Sequence, residues 1–175
     1  INGIPVHSSY KILTDLLRNR LGFEGVILTD WEDINKLHDR DKIVSSKKEA
    51  IRLAINAGID MSMVPYEYEE FIDNLMELVN EGKVTMDRID EAVSKILKLK
   101  FELDLFENPS TSPSDYNDFA SEEFQGMAYQ SAAEAITLLK NNDNILPFER
   151  DKKILVVGPN ADNMRCLNGA WTYSW

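Results

Sequence analysis

Gly22-Phe23-Glu24-Gly25-Val26-Ile27-Leu28-Thr29-Asp30-Trp31 is the stretch on which the reading of this chain turns. Two glycines bound a turn, three apolar residues follow, and the run stops at a carboxylate with an indole beside it. A short apolar run of this kind, Gly-bounded and rich in β-branched residues, predicts a buried parallel strand. Where parallel strands alternate with helices in a barrel, a carboxylate at a strand's C-terminal end faces the active site. Asp30 is therefore the first candidate for a catalytic residue. An Asp in that position also serves as a turn or helix N-cap residue that accepts backbone N–H bonds. The local pattern alone does not choose between the two roles.

Outward from this strand the chain alternates. Residues 10–21 carry Ile12, Leu13, Leu16 and Leu17 on one helical face. Residues 32–45 are too charged for a core and too long for an ordinary βα turn, so they are expected to be a loop that shapes a site. Ser46 and Glu49 have capping-box spacing, Ala50, Leu53, Ala54 and Ala57 continue a helical stripe, and Gly58 ends it. Residues 59–64 predict a second short buried strand, closed by Pro65. The order helix, strand, loop, helix, strand is the βα alternation of a parallel α/β fold. Two further helices follow, one with Phe71, Ile72, Leu75, Leu78 and Val79 on its face and one with Ile89, Ala92, Val93, Ile96 and Leu97, N-capped by Thr85. Both are expected to be packing helices without chemistry.

Residues 107–118, rich in Pro, Ser, Asn and Asp, form the clearest boundary in the chain. Beyond it a helix from Ser121 to about Ala135, a short strand over 136–139, a turn at 141–144 and a buried strand over 153–158 are expected. This is the opening of a second α/β domain. The beginning at Ile1-Asn2-Gly3-Ile4-Pro5 and the end at Trp175 read as those of an internal piece of a longer protein.

Composition narrows the classes. The chain has 175 residues, 43% of them hydrophobic, enough for a core. A net charge of −11 with Lys and Arg interspersed among acids argues against nucleic-acid binding, which needs a basic face. No apolar run approaches the roughly 20 residues that span a bilayer, and the first residues lack the pattern of a signal peptide. Cys166 is the single cysteine, so no internal disulfide forms.

Several segments together resemble family 3 glycoside hydrolases of the β-glucosidase and exo-β-glucanase type. They are Asn2-Gly3-Ile4-Pro5, Gly22-Phe23-Glu24-Gly25-Val26 through Asp30-Trp31, Ala57-Gly58-Ile59-Asp60-Met61, Arg88-Ile89-Asp90-Glu91-Ala92-Val93, Leu138-Leu139-Lys140-Asn141, Ile145-Leu146-Pro147 and Val157-Gly158-Pro159-Asn160-Ala161. Each is a modest signal, but their order and spacing are specific. The resemblance implies that residues 1–106 are the C-terminal part of a (β/α)8 barrel, 107–120 a linker, and 121–175 the start of an α/β sandwich domain.

It also implies a chemistry. The family's nucleophile is the Asp of a Ser/Thr-Asp-Trp motif, which falls on Asp30. A retaining glycosidase needs an ionised carboxylate to attack the anomeric carbon and a second carboxyl roughly 5–5.5 Å away to protonate the leaving oxygen. The family's acid/base is a Glu downstream of Trp175, and its sugar-contacting Lys-His pair lies upstream of Ile1. The piece is thus expected to be inactive alone, and to aggregate or stay molten because its sheet edges and apolar helix faces are open. Trp31 and Trp171 are candidate sugar platforms, the latter in Gly169-Ala170-Trp171-Thr172 where exo-glucanase members have Gly-Gly-Trp-Thr. Core or interface packing is the other role open to each indole. The implied substrate is a β-linked oligosaccharide or glucoside, with no cofactor. Relatives of this type are often periplasmic or secreted.

Other residues carry less. Asp60 is expected to be buried and bonded to backbone or a neighbouring side chain, and Met61 and Met63 to pack in the core. His7 and His38 lack ligand-spaced partners, so no metal site is expected, and Asp33, Asp39 and Asp41 read as a solvated rim. Among alternatives, a β-N-acetylhexosaminidase would have Ser-Asp-Asp in place of Thr29-Asp30-Trp31. A β-xylosidase remains open within the family, as does an inactive carbohydrate-binding protein. A nucleotide-binding protein is disfavoured, because Gly158-Pro159-Asn160-Ala161 lacks the second and third Gly of the dinucleotide fingerprint.

Overall fold

A computed structural model describes residues 1–169, which fall into two units, one of residues 1–115 and one beginning at Tyr116. Trp171 lies outside the described residues.

The first unit is built around two parallel strands, β1 (Leu28–Trp31) and β2 (Met61–Met63). The link between them runs through α1 (Asp33–Asp39) and α2 (Lys47–Ala57), as a parallel connection requires. α1 packs on both strands, and α2 packs on α1, on α3 (Tyr68–Asn80) and on a 3-10 turn at Val6–Ser8. α4 (Met86–Glu102) follows. Ile34, Leu37, Ile51, Ile59, Leu78 and Val84 are the largest fully buried side chains, so the core lies among α1, α2 and α3 beside the sheet.

Local chemistry sets the ends of these helices. The Ser46 hydroxyl accepts the Glu49 N–H at 3.2 Å and the Thr85 hydroxyl accepts the Arg88 N–H at 3.2 Å. The Glu49 carboxylate turns to Arg52 instead of closing the reciprocal half of a capping box. Gly58 ends α2 at φ +117°, a conformation costly for any residue with a Cβ.

Three expectations are corrected. The stretch 32–45 is not all loop, because α1 occupies its first half and buries Ile34 and Leu37 completely. Two apolar residues three apart among seven, with no side-chain N-cap, leave almost no periodic signal to read. The helix before β1, Lys11–Arg20, is wound with π-type i→i+5 bonds. That winding breaks the i, i+4 register of its stripe, so Leu13 is buried and Leu16 exposed. Met61, expected in the core, is also exposed.

In the second unit Ser121 caps α5 (Glu122–Ala135), accepting the Phe124 N–H at 3.2 Å. α6 (Met164–Leu167) is a single turn. The strands expected over 136–139 and 153–158 do not form, and Leu139 and Leu155 are 91% and 86% exposed. A strand exists by pairing, and no described segment pairs with either one.

Candidate active site

The geometry at the C-terminal end of β1 begins with a register slip. Leu28 lies opposite Met61 and Trp31 opposite Met63, so β1 spends one residue more than β2 over the same span. Thr29 is buried, whereas Asp30 and Trp31 are both exposed. The Asp30 carboxylate accepts the N–H of Trp31 at 2.7 Å. It does not cap α1, whose N-cap position is Glu32 at φ +53° with no side-chain cap bond. Helix capping is thus not its role, while its bond to the Trp31 N–H is of the kind a turn carboxylate makes.

Trp31 stands edge-on to Tyr66, with ring centroids 5.8 Å apart and planes at 78°. Tyr66 follows β2 as Trp31 ends β1, so both aromatics belong to the same end of the sheet. The sequence reading passed over Tyr66. Its signal was its position, immediately after the Pro65 that closes the second strand.

Asp60 belongs to the opposite end. Its side chain is wholly buried and accepts the Ile27 N–H at 2.9 Å, ahead of β1. Arg18 contacts one of its oxygens at 2.5 Å and Arg88 the other at 2.7 Å, while the Lys95 ammonium stands 3.8 Å away. Both guanidiniums also bond backbone carbonyls, Arg18 to Gly25 and Arg88 to Ile55 and Ile59. Residues at the N-terminal ends of parallel strands serve stability, not reaction. The helix carrying Arg88, expected to be plain packing, supplies half of this clamp.

The remaining candidates are dispersed. His38 pairs with Asp39, Lys36 with Asp33 and Arg40 with Asp41. Burial pushes the His7 imidazole below its ordinary 6.5, against the opposing pull of Asp33 and Asp41. Among the described residues no three His, Cys, Asp or Glu side chains stand together as metal ligands would, and no helix is long and apolar enough to cross a membrane.

A parallel strand–helix–strand unit of this kind is a building block of parallel α/β folds, TIM-barrel-like domains among them. The signature of the glycosyl hydrolase family 3 N-terminal domain matches residues 1–99, and the chain belongs to that family. The chain is similar to a lysosomal beta glucosidase of Dictyostelium discoideum, at 45% identity over 100% of the chain and 22% of the relative. It is 34% identical to a periplasmic beta-glucosidase of Salmonella typhimurium, over 98% of the chain and 23% of the relative. A beta-xylosidase of Formosa agariphila is 32% identical over 97% of the chain and 24% of its own length. Among solved structures, a beta-glucosidase from Listeria innocua superposes with a TM-score of 0.71 at 29% identity, covering 91% of this chain and 22% of that one. The chain thus spans less than a quarter of the length of each of these.

Proposed function

We propose that these residues carry the nucleophile half of a retaining β-glucosidase, which releases glucose from the non-reducing end of β-glucosides or short β-glucans. The observation that supports this best is the exposed Asp30 carboxylate at the C-terminal end of β1, with the exposed Trp31 indole next to it in the chain. Asp30 attacks the anomeric carbon as the oxocarbenium-like transition state develops, and the glycosidic oxygen leaves with a proton from a second carboxyl. A carboxylate suits this role because it is also a competent leaving group when water hydrolyses the glycosyl ester. Trp31 presents an aromatic face to the C–H face of a pyranose, and Trp171 is proposed as a second platform.

The acid/base Glu lies outside these residues, so the 175-residue piece is inactive alone. Residues 1–106 are assigned to the barrel, 107–120 to a linker and 121–175 to the opening of a sandwich domain. A periplasmic or secreted location fits the Salmonella relative's name. The Formosa relative supports a second reading, a β-xylosidase using the same Asp30.

The test is to inactivate the full-length protein with a 2-deoxy-2-fluoro-β-glucoside bearing a good leaving group, then map the labelled peptide by mass spectrometry. The fluorine slows both steps and the activated leaving group lets the ester form faster than it breaks down. An adduct on Asp30 is expected. Hydrolysis of aryl β-glucosides with labelling elsewhere would remove Asp30 from the role. Labelling only by the 2-fluoro-xyloside would favour the second reading.

A further inference from the structure

The slip between β1 and β2 falls on the step that carries Asp30. In an unbroken strand successive side chains alternate; here Asp30 and Trp31 are both exposed and Thr29 is buried, at 5%. Two bonds from a single residue of β2 bracket the irregular step. The Met63 N–H donates to the Thr29 hydroxyl at 3.0 Å, and the Met63 carbonyl accepts the Glu32 N–H at 2.9 Å. Glu32 completes the turn in the left-handed region, at φ 53° and ψ 22°. The two residues between these anchors are Asp30 and Trp31.

We propose that Thr29 is a positioning residue for the Asp30 nucleophile: its hydroxyl acts as a side-chain rung to Met63 that fixes the bulge and so sets where the carboxylate stands. This rests on the reading of Asp30 as the nucleophile. A hydroxyl is what the position requires. Valine has the same branched shape but cannot accept the N–H, and serine keeps the acceptor with one methyl fewer. A bulge at a strand end next to a site re-aims a side chain. Nucleophilic attack is sensitive to displacements of about 1 Å, which cost roughly 100-fold in rate.

The experiment compares full-length protein with its Thr29→Ser, Thr29→Val and Thr29→Ala variants, using the 2-deoxy-2-fluoro-β-glucoside as probe. The first-order rate constant of inactivation reports the geometry of attack in each folded molecule and is blind to the folded fraction. The saturation constant of the same curve reports binding separately. Thr29→Val is expected to lower that rate constant about 10- to 100-fold with little change in saturation, whereas Thr29→Ser labels near the parent's rate. If Thr29→Val does not fold, the Ser and Ala variants differ chiefly by the hydroxyl and give the same comparison. Equal rate constants for the Ser and the Val or Ala variants would overturn the role of Thr29 while leaving Asp30 as the nucleophile. An adduct away from Asp30 in the unsubstituted protein would overturn both, and is recognised before any variant is made.

Discussion

The guanidinium of Arg88 reaches back from α4 to the carboxylate of Asp60 at 2.7 Å, in a place where the Asp60 side chain has no exposed surface. With Arg18 on the other oxygen and the Ile27 N–H as a third partner, the carboxylate is saturated. Such a group is worth most through what its removal leaves behind. Asp60→Ala strands two buried guanidiniums, and a loss of about 3–5 kcal/mol is expected, read as a lowered denaturation midpoint of the full-length protein. The exposed ties of Lys48 to Glu77 and Glu81 are the control, since Lys48→Ala should leave the midpoint nearly unchanged. Equal losses for the two variants would contradict this division.

Removing the Asp30 carboxylate should abolish hydrolysis while leaving the fold intact, because its bond within the chain is to the adjoining Trp31 N–H. Asp30→Gly also opens space for an external nucleophile. With an activated aryl β-glucoside and added azide, the product should be the α-glucosyl azide, of inverted configuration. A β-azide would show that another group still forms a covalent intermediate.

Trp31→Ala should weaken glucose or glucoside binding about tenfold, near 1.4 kcal/mol, seen as a raised inhibition constant for glucose. Tyr66→Ala should act in the same direction but less, since Tyr66 meets the indole edge-on without replacing its face. If both variants bound glucose like the parent, Trp31 would be a packing residue.

His7 gives a pH signature. Its imidazole titrates below the ordinary 6.5 in the folded chain because burial opposes its charge, with Arg40 and Lys36 adding to burial and Asp33 and Asp41 opposing it. The unfolded chain therefore takes up a proton first as pH falls. Stability from this group is complete above about 6.5, declines as pH drops through that value, and levels off below the lowered folded value. His7→Gln should remove that component. Between pH 8 and 5 the melting temperature of the parent should fall relative to that of His7→Gln; parallel curves would show that His7 titrates alike in both states.

What the sequence made legible was whatever is written in neighbouring residues. The capping of α2 by Ser46 and the stop at Gly58 depend on groups within one turn of the helix. So does the placement of α5 after Ser121. The run ending at Asp30 could be read as a parallel strand from its Gly-bounded start and the Pro-closed partner, but not as a buried one, since Thr29 alone of β1 is buried. The bulge could not be read, because it depends on how Thr29 meets Met63 across the sheet. Nor could the clamp on Asp60, whose partners stand 42 and 28 residues away. The strand expected over 153–158 marks the converse limit, since its apolar residues meet no described partner to pair with.

Those separations also set an order of events at the ribosome. Chains emerge N-terminus first, a few residues each second, and units fold as they become complete. Arg18 is made 42 residues before Asp60, and both are made before Arg88. Until residue 88 follows, one oxygen of that carboxylate lacks its guanidinium and α4 does not yet exist to deliver it. The Asp60 carboxylate therefore waits a further 28 residues for the second of its two guanidiniums.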